Sequence, residues 1–149
     1  PLGGSGLGRH LRFDPRLEAG RRLHVKHQAK ALMDISDGLA WDVHRLSRAS
    51  GLRARLLSAP IHREAHRAAA VDQHDALWHA LHDGEDHELI AALAPAHARR
   101  AVADRSPELA MLSVIGKMEE GRGVVLDSSL TGGSERRWNP TEGGWRHGG

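Results

Sequence analysis

The apolar positions of this chain change period several times, and each change marks an element. Ala31-Leu32-Met33, with Ile35 one polar position on, predicts a buried strand over 29–35. From Leu39 the period lengthens. Leu39, Val43 and Leu46 recur at four and three, the spacing of one face of a helix over 37–50. Gly51 follows, able to take the left-handed conformation that ends a helix. Upstream, Asp14-Pro15 predicts a helix start, with Leu17, Ala19 and Leu23 turned inward as far as about Lys26. Residues 52–57 alternate and predict a strand that Pro60 ends. Ala76, Leu77, Ala80 and Leu81 form the stripe of a helix over 71–81, a strand follows at 89–93, and Pro95 opens a helix to about Asp104. Residues 112–118 and 124–126 read as strands joined through Gly121-Arg122-Gly123, which predicts a hairpin. Residues 127–149 are rich in Ser, Gly and Thr and read as irregular. Helices alternating with strands predict an α+β fold, a mixed β-sheet with helices packed on it.

Composition changes this picture little. At 149 residues and 40% apolar, the chain is long enough for one real core, and with one Phe and no Tyr that core is aliphatic. No run of about 18 apolar residues offers a membrane span. Without Cys there are no disulfides and no thiolate metal sites, which fits a cytoplasmic protein. The net charge is only +2, and the arginine pairs Arg21-Arg22, Arg99-Arg100 and Arg136-Arg137 lie near acids without interleaved aromatics. That pattern reads as solvated surface and not as a nucleic-acid platform. His62 and His66 are four apart, a spacing able to bind zinc, but 12 histidines make such pairs common by chance.

The densest chemistry lies at Asp34-Ile35-Ser36-Asp37-Gly38, where the strand turns into the helix. Free N–H groups and the helix dipole suit this place to phosphate. Paired carboxylates there suit Mg²⁺ shared with substrate phosphates. The plainer reading is that Ser36 or Asp37 caps the helix. A second dense turn, Gly84-Glu85-Asp86-His87-Glu88, reads either as a charged turn or as a ligand pocket with Glu85 in it. Trp138 and Trp145 stand out in the tail, and such a residue either anchors the tail or stacks on a ligand.

Four pieces in order, Asp34-Ile35-Ser36-Asp37-Gly38-Leu39, Ala49-Ser50-Gly51, Gly84-Glu85-Asp86-His87-Glu88-Leu89 and Ile115-Gly116, resemble the C-terminal half of the thiamine-monophosphate kinase family. Leu2-Gly3-Gly4-Ser5 and Gly144-Trp145-Arg146-His147 fit it too. The resemblance implies the C-terminal domain of the aminoimidazole-ribonucleotide synthetase superfamily, in which an ATP-using site lies between two domains. It implies ATP-dependent phosphorylation of thiamine phosphate to thiamine diphosphate. Carried over by position, Asp34 and Asp37 hold Mg²⁺, Ser36 contacts ATP, Glu85 binds the thiamine phosphate, and Trp145 stacks on it; no catalytic residue is assigned. The family usually has Tyr where this chain has His87.

The expected organisation is a linker at 1–13 from a missing N-terminal domain, a domain at 14–126 and a tail at 127–149. Pro1 in place of Met and the glycine-rich opening support a fragment. The expected partners are ATP, thiamine phosphate and a second copy, paired through the missing domain. The alternatives are another ATP-using member of the superfamily, or a non-catalytic domain that binds a phosphate ligand or a partner protein.

Overall fold

The computed structural model describes residues 2, 3 and 8–141. In chain order its elements are α1 (Leu17–Val25), β1 (Ala31–Ile35), α2 (Leu39–Ser50), β2 (Arg53–Leu56), α3 (Arg63–Ala69), α4 (Ala76–His82), β3 (Glu88–Ala92), α5 (Pro95–Val102), β4 (Gly116–Glu119), β5 (Gly123–Leu126), α6 (Ser128–Thr131) and β6 (Arg136–Arg137). Strands β1 and β3 form an antiparallel ribbon, and a second, mixed sheet runs in the order β4-β2-β5-β6. The α+β reading holds.

Strand alternation explains how the ribbon is used. Met33, Ile35 and Ile90 turn to a main core built with Leu39, Ala40, Val43, Ala54, Leu56, Leu81, Val124 and Leu126. Leu32, Leu89 and Ala91 turn the other way, onto a second cluster around Leu23 of α1, Ala101 of α5 and Leu109. Asp34 shares the parity of Leu32 and pairs with Leu89, so it belongs to the α1 side of the ribbon. An apolar hollow of about 1100 Å³ is lined by residues of both clusters and by none of the predicted site residues.

Helix α2 follows its sequence pattern closely. Leu39 is wholly buried, and Gly51 ends the helix at φ 67°. Other boundaries shift. Helix α1 begins at Leu17 and not at Asp14-Pro15, and Leu17 is exposed. Helix α4 begins only after Asp75, whose carboxylate accepts the Trp78 N–H at 2.6 Å. Val71, expected within that helix, is 85% exposed. His62 caps α3 through its Nδ1, which accepts the Glu64 N–H at 3.1 Å.

The expected hairpin is absent. β4 pairs antiparallel with β2, and β5 pairs parallel with β2, so β2 lies between them. The chain from Glu119 to Gly123 passes over the start of β2, where Gly121, at φ 120°, lies against the Arg53 guanidinium. The buried side chains Ala54 and Leu56 favour this central place for β2. The stretch read as irregular contains α6 and β6, and within it Trp138 packs against the core, only 3% exposed. Its indole N–H donates to His82 Nε2 at 3.1 Å. Trp138 therefore anchors.

Asp104 ties the second cluster together. Its carboxylate accepts from Arg22, Lys26, His27 and the Ser106 N–H. Bonds from Arg22, then Lys26 and His27, hold its pKa far below the ordinary carboxylate value. A depressed folded pKa stabilises above the unfolded pKa, near 4, and that stability is lost as pH falls below it. Urea unfolding at stepped pH should therefore show stability dropping below about pH 4, and Asp104→Asn should flatten the drop. In the main core, Leu39→Ala should cost about 2–5 kcal/mol in the same assay.

Candidate functional site

The turn between β1 and α2 is held from inside the helix. The helix N-cap is Gly38, with no side-chain cap. Gly38 sits at φ 99°, and a Cβ there would come within 2.9 Å of the Leu81 carbonyl oxygen, so glycine is required. The turn ahead of the helix is tied instead by Asp42, one turn on. Its Oδ2 accepts the N–H of Ser36 at 2.9 Å and of Asp37 at 3.0 Å. Its Oδ1 accepts from Arg45 Nη1 at 2.9 Å, and Arg45 Nη2 pairs with Asp37 Oδ2. Asp42 is wholly buried. Burial raises its pKa, against the opposing effect of the two backbone N–H bonds and the Arg45 charge. Burial works to lower the Arg45 pKa, but the carboxylates of Asp37 and Asp42 raise it on balance.

The second dense turn lies along the first. Glu85 N–H donates to the Ser36 carbonyl at 2.7 Å, and His87 N–H to the Ile35 carbonyl at 2.9 Å. These bonds extend the ribbon past the Ile35–Glu88 pair. Glu85 and His87 take left-handed backbone, φ 62° and 51°, which few non-glycine residues adopt. Between them Asp86 turns inward, 4% exposed, and both its oxygens accept the Gly3 N–H, at 3.0 and 2.9 Å.

Ser36, Asp37 and Glu85 are thus brought together through backbone contacts. Asp37 is buried, and Ser36 and Glu85 are half-buried. Asp34 is exposed and looks toward α1. It lines a hollow of about 520 Å³ whose wall includes Phe13 stacked on His87 at 4.1 Å. Neither Asp37 nor Glu85 lines that hollow. Trp145 lies outside the described residues. Among the described residues no group of three or more His, Asp or Glu gathers as a metal cage. Of the histidine pair, His62 serves as the N-cap of α3.

Sequence reasoning missed Asp42, Arg45 and the inward turn of Asp86. One signal was present: Asp42 lies on the apolar face set by Leu39, Val43 and Leu46, where an acid needs a partner. Asp42→Ala should strand two backbone N–H groups and cost about 1–3 kcal/mol for each that stays unpaired. Asp42→Asn, which keeps one oxygen acceptor, should cost less. Chemical denaturation of both variants checks the order.

Comparisons with known proteins match the chain to one family. Residues 2–128 match the family model described as AIR synthase related protein, C-terminal domain. A thiamine-monophosphate kinase of Rhodopirellula baltica is 43% identical over 99 residues, covering 65% of this chain and 31% of that protein. One of Aquifex aeolicus is 30% identical over 143 residues, covering 95% of this chain and 40% of the relative. Among solved structures, AaThiL complexed with AMPPCP and TMP superposes with a TM-score of 0.63 at 26% identity, over 99% of this chain and 49% of that one. The thiamine-monophosphate kinase of Stenotrophomonas maltophilia gives 0.62 at 32% identity, over 78% of this chain and 36% of that one. The chain spans less than half the length of each.

Proposed function

The chain belongs to the family of AIR synthase related proteins as a C-terminal domain, and we propose that it forms one side of an active site that phosphorylates thiamine phosphate to thiamine diphosphate at the expense of ATP. The observation that carries this reading is the 2.7 Å bond from Glu85 N–H to the Ser36 carbonyl, which sets the phosphate-type turn beside the acidic turn. Relatives named thiamine-monophosphate kinase support the choice of acceptor. The rest of the site would come from the part of the relatives that this chain does not span, as would the pairing of two copies.

Phosphoryl transfer asks a protein for positioning and charge control more than for covalent chemistry. In this reading the Ser36 hydroxyl donates to a phosphate oxygen of ATP. The Glu85 carboxylate fixes the acceptor, and Trp145 stacks on its ring. Transfer goes directly from donor to acceptor, without a phosphoenzyme. The donor set of the turn suits a divalent cation: Mg²⁺ takes hard oxygen ligands, often one or two carboxylates with phosphate oxygens. Asp37 already carries a cationic guanidinium on one such oxygen. Asp37, and on the α1 side of the ribbon Asp34, would hold Mg²⁺ at separate positions, and the ion when bound neutralises phosphate charge.

Calorimetric titration with thiamine phosphate, with and without Mg²⁺-ATP, tests the reading. Binding should weaken about tenfold or more in Glu85→Ala, the size of one hydrogen bond to a charged group. Silence from the unmodified protein toward thiamine phosphate, with binding of Mg²⁺-ATP retained, would move the assignment to a sister enzyme with another acceptor.

A further inference from the structure

Arg45 is a cation of the chain's own, seated where the reading above puts a metal. Its guanidinium bridges two carboxylates that differ in their surroundings. Asp42 is wholly buried, and its second oxygen is taken by the Ser36 and Asp37 N–H groups, so that end of the bridge is fixed. The Asp37 side chain is 12% exposed and the Arg45 side chain 51%, so the other end of the bridge reaches solvent. Arg45 lies on α2 two turns from the strand end, with its Nη1 on Asp42 and its Nη2 on Asp37. The three groups together carry a net charge of one negative, which lets two acids share the buried start of a helix.

A guanidinium and a divalent cation on one carboxylate oxygen repel each other at contact distance, so each weakens the other's hold. We propose that Arg45 is a built-in competitor at Asp37: its hold on Asp37 Oδ2 lowers the affinity of that carboxylate for a divalent cation, and Asp42 keeps it beside the site when the cation displaces it. The role rests on the assignment of Asp37 to the metal and is independent of which acceptor is phosphorylated. It makes Arg45 a positioning residue that sets metal affinity. Nothing in the periodicity of α2 marked it, because it falls on the polar side of the helix beside Leu46.

The test uses MgCl₂ alone. Calorimetric titration of Arg45→Gln should show Mg²⁺ binding up to about fivefold tighter than in the unmodified protein, the size of a half-exposed ion pair. Adding Asp37→Asn should remove the gain. A merely structural arginine would give no gain, and its loss would leave Mg²⁺ affinity the same or lower. A second measurement needs no variant: in the unmodified protein, the Arg45 Nε–H resonance in a nitrogen–proton correlation spectrum should move as MgCl₂ is added. An unmoved resonance at saturation, unchanged Mg²⁺ affinity in folded Arg45→Gln, or no Mg²⁺ binding by either protein overturns the proposal. A chain that shows the gain but ignores thiamine phosphate keeps this role and loses the acceptor. One that binds thiamine phosphate without the gain does the reverse.

Discussion

One buried carboxylate sets the geometry on which the site depends. Asp42 gathers the N–H groups of Ser36 and Asp37, which would otherwise have no acceptor where the ribbon ends and α2 begins. With the turn closed in this way, the Ser36 carbonyl faces outward and receives Glu85. The loop from Gly84 to His87 then has a fixed track, and Asp86 is turned inward to reach Gly3. Each contact presents the next. The isolated helix could not impose this order, since a carboxylate in the first turn of an exposed helix adds only about 0.3–1 kcal/mol through the dipole. Burial is what gives Asp42 its leverage, because it denies the N–H groups any substitute in water.

What could be read from the sequence followed the range of the interaction that decides it. The ribbon strand, α2 and the Gly51 cap are local patterns, and they were legible. The order β4-β2-β5 was not, because Gly121-Arg122-Gly123 serves equally well to join adjacent strands or to step over a third. Helix α3 has no apolar stripe to announce it: among Arg63–Ala69 only Ala65 is buried. The two dense turns were visible as chemistry, yet their closeness was not, since 48 positions separate Ser36 from the nearer edge of the second turn at Gly84. Nothing in the charged run from Glu85 to Glu88 sets Asp86 apart, although it is among the most buried polar residues described.

The histidines show the same division between letter and environment. His79 sits between Asp83, 3.1 Å from its Nδ1, and Asp72, 3.1 Å from its Nε2. His82 places Nδ1 on the Trp78 carbonyl at 2.9 Å, so its Nε2 is left as the acceptor for Trp138. These residues are joints of the fold, and their number says little about metals.

The contact between Gly3 and Asp86 has a mechanical meaning. Gly3 is wedged against the backbone of His79 and Ala80 with no room for a Cβ, and its N–H is gripped by both oxygens of Asp86. It cannot slide without dragging that carboxylate. Asp86 is the immediate neighbour of Glu85, whose backbone is pinned to Ser36. Any shift of the backbone at residue 3 is therefore felt in two places at once, at Glu85 through the Asp86 carboxylate and at Ile61 through the backbone bridge of Leu2.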